Sequence, residues 1–270
     1  MLHSLKDLNG YTLAAEDGEI GHLREAYFDD AGWTVRHLVV ETGGWLSGRS
    51  VLISPHAVRS LDHTERCLHV SLTRGQVEGA PSIDSDRPVS RQYEIAAYDF
   101  YGYPYYWGGT SLWGMMDMPM GGAIAPFGAP LTGSLLEPRR EPGASGTVAR
   151  EIAEAERDAA DPHLRSSAEV IGYDLAANDG SIGHVDDFLL DEGSWRIVLL
   201  VVDTHNWLPD QLVLLPPSSV ERVDWGTRQA HVKISRQAVK DSPSYDRDSR
   251  GSPLHEDQVL AAQRHFESMV

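Results

Sequence analysis

Apolar and polar residues alternate through Leu13 and Ala15 up to Asp17-Gly18, and Ile20 follows. Such alternation around Asp-Gly predicts a β-hairpin, because a tight type I′ turn needs a positive φ that Asp and Gly tolerate. The return strand reads Leu23, Glu25 and Tyr27 on one face and Arg24, Ala26 and Phe28 on the other, with the next turn over residues 29–32. Residues 34–42 form a third strand, and residues 50–55 a short one stopped by proline. Residues 58–62 and 67–72 are the last two strands. Residues 88–97 carry proline in the first turn and apolar positions at helical spacing, which predicts a short helix.

The whole pattern is written twice. Gly10 to His22 returns as Gly172 to His184, and the constant offset holds through residues 196–204, 212–217, 220–224 and 230–234. The run 196–204 is almost wholly apolar, the mark of a central strand buried on both faces. By eye, about 30 positions are identical over some 75, far above chance for a self-comparison. Residues 253–262 repeat the helix, with Val259, Leu260, Ala262 and Phe266 as its docking stripe. In both copies a glycine, Gly21 or Gly183, sits early in the return strand, where it suggests a bulge or a close backbone approach.

Short strands at regular spacing suggest small barrels. The expected fold is mainly β: two pseudo-symmetric small β-barrels, each followed by a short helix and joined by an irregular connector rich in aromatic residues, Gly and Pro. The expected division is a first unit over 1–100, a connector over 101–161 ending in a helix over 148–160, and a second unit over 162–270. The connector opens on Tyr98-Asp-Phe-Tyr-Gly-Tyr-Pro-Tyr-Tyr-Trp107 and passes four methionines, Met115, Met116, Met118 and Met120. Its Gly/Pro/Ala composition over about 115–145 offers few apolar anchors, so that stretch is expected to be loosely held. A unit of this size buries only a modest core, so the two copies are expected to pack on each other, with the two helices as candidates for covering or bridging the barrels.

Charge and cysteine content narrow the function. The formal net charge is −17, which disfavours nucleic-acid phosphate and anionic membrane surfaces as partners. The start lacks the apolar run of a secretory signal, and no apolar stretch is long enough for a membrane helix. Cys67 is the one cysteine, so no internal disulfide or cysteine-based zinc site can form, and a cytoplasmic location is expected.

The motifs Asp-Gly-x-Ile-Gly-His, Val-Val-(Asp/Glu)-Thr, the Trp-Leu at residues 45–46 and 207–208, and Val-Leu-(Ile/Leu)-x-Pro resemble the PRC-barrel domain. That small β-barrel is found in the photosynthetic reaction-centre H subunit and in the ribosome maturation factor RimM. The layout is similar to that of bacterial proteins with two such copies. Ser242-Pro-Ser-Tyr-Asp246 and Phe100-Tyr-Gly-Tyr-Pro-Tyr-Tyr-Trp107 match their closing motifs. The resemblance covers roughly 2–107 and 162–270. It implies a non-catalytic barrel that docks onto other macromolecules. The H subunit's membrane helix and the ribosome factor's different N-terminal barrel have no counterpart here, so neither role transfers directly.

Candidate chemistry is sparse. His22 and His184 are equivalent and could form a paired metal or proton site, but no spaced His or Cys partner supports a metal, and a structural place on the strand is favoured. Asp17, Gly18 and Gly21, with Asp179, Gly180 and Gly183, read as structural turn residues. Trp45 and Trp207 sit in loops, where they either bind a partner or lid the barrel. Tyr105, Tyr106 and Trp107 are either a contact patch or an element packed on the first barrel. No catalytic constellation or nucleotide loop is present, so no enzyme activity, cofactor or metal is expected. The favoured reading is a scaffold or adaptor that binds an unidentified protein, with self-association as an option. The alternative is a small-molecule or cofactor binder associated with photosynthetic or respiratory electron transport.

Overall fold

The computed structural model describes residues 1–46, 48–81, 91–108, 110–114, 116–119, 164–204, 211–224, 226–245 and 256–267. The proposed connector helix over 148–160, most of the stretch 115–145, and Trp207 lie outside the described residues.

The first half contributes β1 (Leu2–Ser4), β2 (Thr12–Ala15), β3 (Gly18–Asp29), β4 (Thr34–Thr42), β5 (Ser50–Ile53), β6 (Val58–Asp62) and β7 (Cys67–Val70). Helices α1 (Arg74–Gly79) and α2 (Arg91–Tyr101) follow. The second half contributes β8 (Leu164–Ser166), β9 (Asp174–Ala177), β10 (Gly180–Asp191), β11 (Ile197–Asp203), β12 (Leu212–Leu215), β13 (Val220–Asp224), β14 (Gln229–Val232) and β15 (Ser244–Tyr245). Its helices are α3 (Ser167–Val170), α4 (Arg236–Lys240) and α5 (Glu256–Glu267).

The strand order is the same in both halves. One sheet runs β5-β4-β3-β2-β7-β6, and the other runs β12-β11-β10-β9-β14-β13, with β15 added at the β12 edge. The central strands are buried on both faces as the apolar run requires: Val35, Leu38, Val39 and Val40, and likewise Ile197, Leu199, Leu200, Val201 and Val202, are all 0% exposed. The Ser-Pro-x-Tyr motif of the second half forms β15, which pairs Tyr245 with Leu212.

Two local expectations need correction. The hairpin pairs Ala15 with Gly18 and Ala177 with Gly180. The two-residue turns are therefore Glu16-Asp17 and Asn178-Asp179, one residue earlier than an Asp-Gly turn. Neither Glu16 nor Asp17 has a positive φ. Gly18 and Gly180 instead open the return strands at φ 141° and 140°. The faces of the return strand also differ from simple alternation. A bulge between Leu23 and Glu25 shifts the register, so Leu23, Ala26 and Phe28 share one core, while Tyr27 faces a separate cluster with Val39, Leu52 and Leu164. One extra residue inverts every later side chain. The close approach at the strand glycines is as expected. A Cβ on Gly21 would lie 2.1 Å from the Glu41 carbonyl oxygen, and one on Gly183 would lie 1.9 Å from that of Asp203.

The halves are joined by reciprocal strand exchange. β1 pairs antiparallel with β10 of the second half, Leu2 opposite Asp191. β8 pairs with β3 of the first half, Leu164 opposite Asp29. These registers coincide under the repeat offset, as do the bonds at the centre of the seam. There Val35 N–H donates to the Trp195 carbonyl at 2.9 Å, and Ile197 N–H donates to that of Trp33 at 2.7 Å. Thr34 and Arg196, themselves equivalent, form the bridge between them. Trp33 and Trp195 both hold a positive φ, 49° and 58°, an unfavourable state for a bulky side chain, and each offers its carbonyl to the opposite half. Phe28 and Phe188 meet across the seam with ring centroids 5.2 Å apart. A single buried cluster runs through both halves. Mutual packing is thus observed, but exchanged strands supply it. The helices proposed as bridges lie elsewhere: α5 packs on β12, and α2 covers β4 as described next.

Candidate functional site

The two halves differ on one face of β4. The equivalents of Val198 and Leu199 are Arg36 and His37, and the first half builds a buried polar and aromatic cluster over them. Glu94, Ala97, Tyr98 and Tyr101 recur at helical spacing on α2 and are all buried, so α2 turns this stripe onto the sheet.

Glu94 is 0% exposed and His37 is 1% exposed. The Glu94 Oε1 lies 2.9 Å from His37 Nε2 and accepts from the Tyr106 hydroxyl at 2.9 Å. A buried carboxylate needs such partners. The residue matching Glu94 in the second helix is Val259, packed with Leu199, so the same place there is wholly apolar.

Arg36 is 3% exposed. Its Nη2 donates to Asp29 Oδ2 at 2.8 Å, and its Nη1 donates to the Leu112 carbonyl. The guanidinium carbon lies 4.0 Å from the Tyr106 ring centre and 4.9 Å from that of Trp113, within cation–π range. Trp113 in turn donates its indole N–H to the Ser194 carbonyl of the second half at 2.9 Å. The aromatic tail is therefore a strap: it leaves α2, is clamped by Arg36 and ends on the other half's hairpin.

His56 closes the cluster. It is buried, stacks on Tyr103 at 5.1 Å and meets Trp113 edge-on at 4.8 Å. Burial, aided by Arg36 and then His37, pulls its pKa from 6.5 down to about 4. The unfolded chain takes up this proton near pH 6.5 and the folded chain only near 4, so stability is complete above 6.5 and falls as the pH drops towards 4. The loss amounts to about 3 kcal/mol. Thermal melts of His56→Phe should lose this component of the pH dependence; an unchanged slope between pH 6.5 and 4 would contradict it.

The proposed interaction residues fall in different surroundings. Tyr106 is buried within the cluster. Tyr105 is 39% exposed, bonds Asp99 at 2.5 Å and stacks on the half-buried Trp107 at 4.7 Å. Trp45 is half-buried; its indole N–H donates to the Ile20 carbonyl at 2.7 Å, and the Arg74 guanidinium sits 4.2 Å above its ring. Asp17 and Asp179 do more than turn the chain. Their carboxylates accept the first backbone N–H of α1 and α4, from Arg74 and Arg236, each at 2.8 Å, and so tie each hairpin to the helix that follows. His22 lies on an exposed strand face 3.7 Å from Glu19, and His184 lies 3.9 Å from Asp203. Among the described residues no cluster of His, Cys, Asp or Glu has metal-binding geometry. Cys67 is buried, and burial, with Asp62 nearby, pushes its thiol above the usual range. No described helix is long and apolar enough to cross a membrane.

Sequence reasoning missed Arg36, His37, Glu94, His56 and Trp113. The signal was available as a pair of polar residues in an otherwise apolar strand, present in one copy and absent from the other.

Residues 163–239 match the PRC-barrel domain. The match covers β8 to α4, ending before β15, and so includes the exchanged strand as part of the domain. No curated protein matches the chain.

Proposed function

We propose that the chain is a non-catalytic scaffold or adaptor in which two PRC-type barrels, one from each half, act as a single body that binds another protein. The observation that carries this reading is the reciprocal exchange of β1 and β8 around equivalent bonds. It joins the two units through matching contacts, as an isologous interface would. The matching strand order supports extending the PRC-type assignment to the first half. A PRC-barrel match agrees with a docking role. The buried ionisable groups of the first half are engaged in holding the strap, which leaves the Tyr105–Trp107 pair as its outward aromatic contact. Stacked aromatics with one open face are common anchors at interfaces.

Crosslinking in cells, followed by identification of the captured protein, tests this. Tyr105→Ala should weaken capture of a specific partner about thirtyfold, the effect of losing a ~2 kcal/mol anchor, while the chain stays folded with a small fall in melting temperature from the lost Asp99 bond and Trp107 stack. Capture unaffected by Tyr105→Ala would reject this surface, and a chain that captures no protein would reject the adaptor reading.

A small-molecule role has one observation in its favour. A groove of about 280 Å³ opens at the seam between Trp33, Asp30, Arg165, Glu221 and Arg222. A melting screen against ionic and aromatic compounds tests it, because a ligand of the folded state raises the melting temperature by mass action.

A further inference from the structure

The two exchanged strands are held by different chemistry. On β8, Arg165 Nε donates to Asp30 Oδ2 at 2.7 Å. On β1 the equivalent pair is His3 and Glu192, with His3 Nε2 3.1 Å from Glu192 Oε2. His3 also stacks on His63, their ring centroids 4.2 Å apart and planes 26° from parallel. His63 belongs to the turn between β6 and β7 of the first unit, whereas His3 is paired into the second unit's sheet. The ring pair therefore straddles the seam. By the repeat offset, the second half has Trp225 in place of His63, a residue that does not titrate.

We propose that the His3–His63 stack is an acid-sensitive latch that holds β1 on the second unit at neutral pH and releases it in mildly acidic solution. Two neutral imidazoles stack favourably. Two imidazolium rings about 4 Å apart in a partly buried site repel. Glu192 offsets the charge on His3 only. Around His63 the facing groups are Tyr11, whose hydroxyl lies 3.1 Å from His63 Nδ1, and Arg66, whose guanidinium sits 4.7 Å above the Tyr11 ring. The carboxylates of Asp62 and Asp7 lie near Tyr11. The Met1 amine, on the other side of His3, pairs with Asp191 at 3.6 Å. Further, His63 Nε2 is buried with no hydrogen-bond partner among the described residues.

Burial, and to a lesser degree the neighbouring His63, hold His3 below its ordinary 6.5 despite the Glu192 contact. Docking of β1 is thus complete above that value and weakens as the pH falls below it. Arg165 stays charged throughout this range, so β8 is an internal control in the same molecule. The inference stands on the seam geometry alone and does not depend on which partner the chain binds.

Hydrogen exchange on the full chain at pH 7.5 and 5.5, corrected for intrinsic rates, reads both strands at once. Protection of the amides in residues 1–9 should be lower at pH 5.5 than at pH 7.5, while residues 164–172 hold theirs. His63→Phe keeps an aromatic ring and should abolish the drop. His3→Arg recreates the β8 arrangement opposite Glu192 and should abolish it as well, which covers the case in which His63→Phe does not fold. Equal losses on β1 and β8, no loss on β1, or a loss that survives either variant would overturn the latch.

Discussion

Glu94→Val should destabilise the protein by about 3–5 kcal/mol, the usual result of removing one member of a buried polar pair. The substitution strips His37 and the Tyr106 hydroxyl of their shared acceptor in a place where water cannot replace it. The melting temperature should fall by roughly 2–4 °C for each kcal/mol in a chain of this length. The chain also contains its own control. The second unit puts Leu199 and Val259 where the first puts His37 and Glu94. The double variant His37→Leu, Glu94→Val should therefore recover most of the lost stability, since an apolar pair of similar volume replaces a buried polar one at little net cost. The Tyr106 hydroxyl still lacks its acceptor in that variant, so recovery should be incomplete by about 1 kcal/mol. Adding Tyr106→Phe should close that gap. Denaturant melts of the parent, the two single variants, the double and the triple measure all of this. Additive losses for the single His37→Leu and Glu94→Val substitutions would show that the two residues do not act as a pair.

Much of the fold was legible in the sequence, because its strongest signals are local. The repeat placed β2, β3, β4 and β5 and their counterparts, and the proline stops after Ile53 and Leu215 set their ends. The short helices α1 and α4 were missed although Thr73 and Gln76 form a capping box and Ser235 caps Ala238. Their brevity hid them: neither is long enough to show a hydrophobic period. The bulge after Leu23 was not legible, because an extra residue leaves no mark in an alternation that polar and apolar residues already interrupt. The exchange of β1 and β8 was out of reach for another reason. Leu2-His-Ser4 and Leu164-Arg-Ser166 are three-residue strands whose pairing depends on the far half of the chain, and a sequence shows that the halves are alike without showing which strands they trade. Each sheet takes one short strand from the other half, β1 on β10 and β8 on β3. In the candidate site, the aromatic tail was singled out, with packing and contact both left open for it. Its sockets at Arg36, His37 and Glu94 were overlooked because each was read as part of its own strand or helix, when comparing the two copies position by position would have exposed them.

Two equivalent units form one body by trading strands. The contacts at stake are large. Phe28 and Phe188 are both 0% exposed, and losing either from a packed site costs about 3–5 kcal/mol. Separating the units would uncover both rings, the backbone groups of β1 and β8, and the bonds at Val35 and Ile197. An isolated half should therefore be marginal, expose an apolar patch and tend to pair with itself. Residues 1–119 and 162–270, produced separately and then mixed, provide the most direct measurement, with mass read by sedimentation and stability by melting. The expected result is a 1:1 complex that melts well above either half alone, with its β1 and β8 amides protected as in the intact chain. Two monomeric halves, each stable by itself and indifferent to the other, would contradict the strand-exchanged body.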